Sequence, residues 1–230
     1  MIGIPLRDNN PTVRTPFFTY TFLVVNVAVY LYQLTLHERA AYFFVQSHGA
    51  IPAQIIHFQN LPSLLTSMFV HGGLLHLLGN MLYLHIFGDN IEDLLGHVKF
   101  VGFYFLCGFG AVFSHIIIDP SSQIPMVGAS GAISGVLGAY LVSYPRARVQ
   151  VAVPIFIYIF KTFWIPSIIV LGIWFLLQIL FGLASIGAAG GGGVAWFAHI
   201  GGFIVGIILV KIAKPQKQQF YNNFDEEEKW

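Results

Sequence analysis

A serine and a histidine lie far apart in the sequence, each beside glycines in an apolar segment that contains no Asp or Glu. Ser130 belongs to the run Gly-Ala-Ser-Gly at 128–131, and His199 is followed by Gly202 and Gly206. An imidazole that removes a hydroxyl proton turns serine into a nucleophile toward carbonyl carbon. The pair therefore predicts acyl-transfer chemistry, with Ser130 as the nucleophile and His199 as the general base.

Further residues can stabilise the oxyanion that such a reaction forms. Ser130 is predicted to begin a helix, where free backbone N–H groups and the helix dipole favour negative charge. His76 and Asn80 are four residues apart and so share one helix face. With the backbone N–H of Ser130 they predict an oxyanion hole. Gly128 and Gly131 permit a tight turn and close approach of a substrate backbone, so we expect both to line the site.

The acidic residues favour a Ser–His dyad over a triad. No Asp or Glu lies between Asp119 and Asp225, which leaves Asp119 as the one acid that the sequence allows as a third member. No cofactor or metal is expected. The zinc-protease pattern His-Glu-x-x-His is absent, and the single cysteine excludes a Cys-based zinc site. A transporter or metal protein that uses the histidines is accordingly the weakest alternative.

The composition identifies the setting in which these residues act. Of the 230 residues, 56% are hydrophobic and only 9% are charged, against about 25% charged in an ordinary soluble domain. The net charge of +1 offers no basic footprint for nucleic acid. The chain is predicted to be all-α, a polytopic membrane protein with the lipid bilayer as a partner and no nucleic-acid partner.

Six segments are predicted to cross the bilayer, because each approaches the roughly 20 apolar residues that a spanning helix needs. The fourth is short, so part of the loop before it would lie at membrane depth, inside protein or beside a water-filled cavity. The predicted spans are 16–36, 67–88, 100–118, 130–144, 166–184 and 195–213. The chain then divides into a cytoplasmic N-terminal segment at 1–15, a membrane domain at 16–213 and a polar cytoplasmic tail at 214–230.

Basic residues indicate the orientation of these spans. With six spans, ten of the eleven Lys and Arg residues fall on the side that holds both termini, and only Arg39 falls on the other. The positive-inside rule makes that side cytoplasmic, and the membrane is expected to be the cell membrane. The predicted oxyanion and catalytic residues then all lie in the outer half of the bilayer.

Small residues predict how the nucleophile and the base meet. Gly131 and Gly135 in the fourth span, and Gly202 and Gly206 in the sixth, are small-xxx-small pairs that allow close helix packing. Packing of these two helices would bring Ser130 to the histidine of the sixth span.

Three motifs in this order resemble those of the rhomboid family of intramembrane serine proteases. They are His-x4-His-x3-Asn in the second span, Gly-x-Ser-Gly-x3-Gly in the fourth, and a His with Gly at +3 and +7 in the sixth. The matching residues are His71, His76, Asn80, Gly128, Ser130, Gly131, Gly135, His199, Gly202 and Gly206.

The resemblance implies a six-helix bundle with a water-filled catalytic cavity open to the outside. It implies Ser130 as nucleophile, His199 as base, His76 and Asn80 as oxyanion support, and His71 as a residue that lines the site. The implied activity is endopeptidase cleavage of other membrane proteins, in or near their transmembrane segments. A catalytically inactive relative that binds or escorts membrane proteins is the alternative function.

The resemblance also implies a substrate gate, formed by the fifth span at 166–184 and the loop at 185–194. Two features of the family are missing. Pro62 and Ser63 stand where many members carry a Trp-Arg pair, so the first loop is expected to be anchored differently. Ser134 stands where some members have an aromatic residue that stacks on the base, which leaves the orientation of the base to other groups.

Overall fold

The computed structural model describes residues 3–156, 159–186 and 195–213, so the predicted tail at 214–230 lies outside it. The described residues form a mostly helical fold with nine helices and three strands. In chain order the elements are β1 (Ile4–Asp8), α1 (Phe17–Thr35), α2 (Glu38–His48), α3 (Pro52–Ile55), α4 (Ser63–Thr66), α5 (Leu74–Leu95), α6 (His97–Ile118), α7 (Ser130–Ser143), β2 (Arg148–Phe156), β3 (Ile159–Pro166), α8 (Ser167–Ser185) and α9 (Trp196–Ala213).

Four helices of the described residues are long and apolar enough to cross a membrane, namely α1, α6, α8 and α9. Each coincides with a predicted span. The helix α7 also coincides with one but has only 14 residues, about 21 Å at ~1.5 Å per residue. The helix α5 has 22 residues, but histidines, Asn80 and three acids reduce its apolar character. The count of six spans therefore stays a prediction.

The second predicted span differs from the helix that the chain forms. The prediction began at 67, whereas α5 begins at Leu74, after Gly73, and continues to Leu95. The extension carries Glu92 and Asp93, both nearly inaccessible to solvent. A hydropathy pattern ends a span before such acids, because an unpartnered buried charge is costly. Here both acids have partners. Asp93 accepts hydrogen bonds from the backbone N–H groups of Val13 and Arg14 in the segment before α1, and the partners of Glu92 include the first turn of α1.

Glu92 joins the start of α1 to the end of α5. Its carboxylate accepts hydrogen bonds from the backbone N–H groups of Phe18 and Thr19 at 2.9 and 2.7 Å, and from the Thr19 hydroxyl at 2.8 Å. His97 donates a further bond through Nδ1 at 2.6 Å. The carboxylate satisfies amide groups that a helix N-terminus leaves without partners, and it lies at the favourable end of the α1 dipole.

The expectation of an all-α fold is wrong in one respect, because the described residues include a three-stranded antiparallel sheet in the order β1-β2-β3. Ile4 pairs with Ala152 in β1 and β2, and Val149 pairs with Ile165 in β2 and β3. The alternation of Val149 and Val151 with Gln150 places the two valines in the hydrophobic core, as a half-buried strand requires. The predicted N-terminal segment at 1–15 thus contributes a strand to the fold.

A partly buried carboxyl group, that of Asp8, attaches the sheet to the helices. The Tyr140 hydroxyl of α7 donates a hydrogen bond to the Asp8 carboxylate at the end of β1. Burial raises the pKa of Asp8 from 3.8 to about 6, an increase that the hydrogen bond from Tyr140 partly offsets. The sheet therefore lies at the end of the bundle where α5 and α7 finish, opposite the end where α7 and α9 begin.

The helices α7 and α9 approach each other closely at the centre of the bundle. A Cβ atom on Gly206 would lie 2.6 Å from the Gly135 Cα, and one on Gly202 would overlap the carbonyl oxygen of Gly131. Only glycine allows two helix backbones to meet at this separation. The four glycines that the sequence predicted to pack together are thus all at the contact between α7 and α9, which sets the distance between their first turns.

Candidate active site

The loop before α7 holds Ser130 at the first position of that helix. The Gly128 N–H donates to the Ser67 carbonyl at 2.8 Å, and Met126 exchanges two backbone hydrogen bonds with Ala50. Gly128 has φ of +112°, a conformation that favours glycine. These contacts fix the turn that leads into the helix, so the Ser130 side chain and its free backbone N–H group have a defined position.

His199 lies in the first turn of α9 and meets Ser130 directly. Its Nε2 atom is 2.9 Å from the Ser130 Oγ, and both residues are partly buried. Ser130 can donate its hydroxyl proton to Nε2 only when that nitrogen is unprotonated and the other nitrogen carries the proton. The distance is that of a nucleophile and a general base in hydrogen-bond contact.

The other nitrogen of His199 contacts a residue that the sequence analysis missed. The Nδ1 atom is 2.8 Å from Oε1 of Gln178 in α8. An amide oxygen only accepts, so Nδ1 carries a proton and donates it. Gln178 is 6% exposed, and its Nε2 donates to the Trp174 carbonyl at 3.2 Å. One signal was available in the sequence, since Gln178 is a lone amide in an otherwise apolar helix.

Aromatic rings also surround His199. Trp174 of α8 lies with its ring centroid 6.0 Å from that of His199, and Trp196 meets the imidazole edge-on at 6.4 Å. Ser134, at the position where some relatives carry a stacking aromatic residue, instead donates its hydroxyl to the Ser130 carbonyl at 2.6 Å. The groups that hold the base therefore come largely from α8 and α9 rather than from α7.

His76 and Asn80 face the turn before the nucleophile. A Cβ atom built on Gly128 would lie 2.7 Å from His76 Nε2 and 3.3 Å from Asn80 Nδ2. Both side chains thus lie directly against this backbone, two residues before Ser130. With Ser130 they line the same cavity, so their side chains and the amide groups at the start of α7 are the candidate donors for an oxyanion hole.

His71 lies behind Asn80 rather than on the cavity wall, and it is 1% exposed. Its Nδ1 donates to the Phe69 carbonyl at 3.2 Å, and its Nε2 accepts from Asn80 Nδ2 at 3.0 Å. Gln33 of α1 exchanges two hydrogen bonds of 3.0 Å with the His71 backbone. The bond between His71 and Asn80 orients the Asn80 amide. The bonds from Gln33, together with the bond from the Thr66 hydroxyl to the His48 carbonyl, anchor the loop between the first two predicted spans without a Trp-Arg pair.

A cavity of 1410 Å³ opens over these residues. Its volume exceeds that of a typical pocket for a small ligand, about 300–1,000 Å³. It lies where α7 and α9 begin. The lining includes Ser130, Gly128, Gly131, His76, Asn80, His199, Trp174 and Trp196.

Asp119 does not contact the base. It also lines the cavity but is exposed at the end of α6, where its carboxylate accepts a hydrogen bond from the Ser121 hydroxyl at 3.2 Å. Gln178 takes the position beside Nδ1 that a triad carboxylate would hold. Among the described residues, no group of three or more His, Cys, Asp or Glu side chains is arranged to hold a metal ion.

Comparison with known proteins gives one family model and several relatives that match the chain. The family model of the Rhomboid domain matches residues 59–216. RHOMBOID-like protein 6, mitochondrial, of Arabidopsis thaliana is 32% identical over 70% of this chain and 46% of its own length. Rhomboid protease GluP of Bacillus subtilis is 29% identical over 55% of this chain and 24% of its own. Inactive rhomboid protein 1 of Drosophila melanogaster is 35% identical over 34% of this chain and 5% of its own.

The chain belongs to the rhomboid family and is an integral, multi-pass membrane protein. It spans less than half the length of each of these three relatives. Their names include both a protease and an inactive protein, so family membership alone does not assign an activity.

Proposed function

We propose that the protein is an intramembrane serine endopeptidase that hydrolyses peptide bonds in or near the transmembrane segments of membrane-protein substrates. The observation that carries the proposal is the 2.9 Å contact between Ser130 Oγ and His199 Nε2 inside a large cavity. The reaction uses no cofactor and no metal. An inactive binding protein has no need for a nucleophile and a base in hydrogen-bond contact.

The reaction proceeds in two halves. His199 Nε2 takes the Ser130 proton as Oγ attacks the substrate carbonyl carbon. Donors from His76, Asn80 and the Ser130 backbone N–H stabilise the negatively charged oxygen. The tetrahedral intermediate collapses as the imidazolium gives its proton to the departing amine, leaving an acyl group on Oγ. A water molecule, deprotonated by the same nitrogen, then releases the acid and restores the serine hydroxyl.

The proposal includes the topology. The helices α1, α5, α6, α7, α8 and α9 form six spans of a membrane domain at 16–213, with residues 1–15 and the tail at 214–230 on the cytoplasmic face of the cell membrane. The distribution of Lys and Arg supports this orientation. The cavity then opens toward the outside, which gives water a route to Ser130. The short helix α7 is tolerated because the loop before it lines that cavity.

Cleavage of a reconstituted transmembrane substrate tests the function, with the products mapped by mass. Ser130→Ala and His199→Ala should each abolish cleavage, because one removes the nucleophile and the other the base. A fluorophosphonate probe should label the wild-type protein at Ser130 and leave Ser130→Ala unlabelled. Full cleavage by Ser130→Ala would refute the proposal. Absence of labelling in folded wild-type protein would favour a binding or escort role.

A further inference from the structure

Gln178 is the buried polar side chain of α8 that contacts the candidate site. The helix reads as an almost continuous apolar run, and an amide in such a run needs hydrogen-bond partners within the protein. Both ends of the Gln178 amide have them. Its Oε1 is 2.8 Å from His199 Nδ1, and its Nε2 donates to the carbonyl of Trp174 on its own helix. The second bond determines which end of the amide faces the histidine.

We propose that Gln178 is the positioning residue of the base, fixing the tautomer and the ring orientation of His199. This proposal rests on the proposed protease function. Neutral imidazole carries its proton on either nitrogen, and only the form protonated at Nδ1 leaves Nε2 free to accept the Ser130 proton. The Gln178 oxygen stabilises that form selectively. Gln178 therefore acts as a third member beside Ser130 and His199, in the role that an acid or an asparagine has in other hydrolytic triads.

A neutral partner suits the position of this site. An ionised carboxylate in a spanning helix is costly to bury, whereas an amide oxygen accepts the Nδ1 proton without a charge. A carboxylate would also stabilise imidazolium more strongly than an amide does. His199 beside Gln178 is therefore easier to keep neutral, and a neutral imidazole is the form that acts as the base.

Two substitutions separate positioning from packing. Gln178→Met keeps the length of the side chain and removes the acceptor, so kcat should fall about 10- to 100-fold while KM changes by less than about twofold. Gln178→Glu restores an acceptor and adds charge, so cleavage should recover and the acid limb of the pH–rate profile should move to higher pH. Leu106→Met places the same residue on the exposed side of α6, away from the predicted gate, and should change none of these quantities.

The titratable groups that share the cavity with His199 are His76 and Tyr83 of α5, His115 of α6, and Asp119 after it. Their contributions are common to all three variants, so the shift produced by Gln178→Glu reports the new carboxyl. A cleavage rate and pH profile of Gln178→Met equal to those of the active wild type would overturn the positioning role and leave the protease function intact.

Nitrogen-15 spectra of histidine-labelled protein test the same inference without turnover, with the His199 signals assigned from a His199→Asn variant. Wild type should show His199 protonated at Nδ1, and Gln178→Met should show a mixture with the Nε2-protonated form. An unchanged tautomer in Gln178→Met would overturn the proposal. Since this measurement needs no substrate, it decides the role of Gln178 even for a wild-type protein that cleaves nothing, where only the proposed function would fail.

Discussion

Gly206→Ala tests whether the contact between α7 and α9 sets the geometry of the site. The added Cβ would lie 2.6 Å from the Gly135 Cα, whereas two carbon atoms pack at about 3.5 Å. The helices must therefore separate by about 1 Å. Gly206 is seven residues from His199, about 10 Å along the same rigid helix, so most of that displacement reaches the base.

The expected loss of rate follows from the distance between Ser130 Oγ and His199 Nε2. A displacement of about 1 Å takes the 2.9 Å contact between Ser130 Oγ and His199 Nε2 to nearly 4 Å, beyond hydrogen-bond reach. A misplacement of this size costs about 100-fold in rate, and overpacking of the contact should also lower the free energy of unfolding by about 1–3 kcal/mol. The measurements are kcat on a reconstituted substrate, the rate of fluorophosphonate labelling, and thermal unfolding in detergent.

Gly102→Ala is the matched control, because nothing lies within 4 Å of a Cβ built on this helical glycine of α6. It should keep the wild-type rate and gain slight stability, as alanine is favoured over glycine within helices. Both variants must retain wild-type helix content, so that a slow rate reports geometry rather than unfolding. A Gly206→Ala protein that is labelled as fast as Gly102→Ala would refute the reasoning.

Three further predictions concern other parts of the fold. Glu92→Leu should lower the free energy of unfolding by about 3 kcal/mol, because it leaves buried donors at the start of α1 without a partner; thermal unfolding checks this, and unchanged stability would contradict it. His71→Ala should lower kcat about tenfold with little change in KM, because the Asn80 amide loses the acceptor that aims it at the oxyanion; a rise in KM alone would argue against this role. Asp8 has a folded-state pKa of about 6, above its ordinary value, so its burial stabilises the protein below about pH 4 and this contribution is lost as pH rises through 6. Relative to wild type, Asp8→Asn should therefore gain more free energy of unfolding at pH 7 than at pH 4.5, by at most about 2 kcal/mol given the partial exposure of the group. If variant and wild type show the same dependence of stability on pH, Asp8 is not responsible for it.

The sequence contained the information for the candidate nucleophile and base and for the elements that position them. Residue type and spacing identify Ser130, His199 and their glycines, since a spanning helix excludes polar residues that have no purpose there. The predicted spans also match the helices within a few residues, except for the second. That exception has a physical cause, because Glu92 looks like the end of an apolar helix until its partners at the start of α1 are known.

The pairing of the sheet and the contact between Gln178 and His199 could not be predicted from the sequence alone, because both depend on contacts between distant segments. The sheet pairs Ile4 with Ala152, and the local sequence around Ile4 does not identify a partner strand so far along the chain. Gln178 reads as an isolated amide, and only the packing of α8 on α9 brings it to His199. Residues that position the candidate catalytic side chains are found only through such long-range packing, whereas the candidate catalytic residues lie in local sequence motifs.

The start of α8 is held firmly to the end of α7. Ser167 is fully buried, and it donates its N–H to the Ala147 carbonyl at 2.7 Å and its hydroxyl to the Tyr144 carbonyl at 2.6 Å. Gln178 lies eleven residues further on, about 16 Å along the helix. Because the start of α8 is fixed at Ser167, a tilt of about 10° about that point would move Gln178 by about 3 Å. That movement would break the 2.8 Å bond between Gln178 and His199. In the proposed protease, a tilt of α8 that widened the cavity would therefore also separate Gln178 from His199.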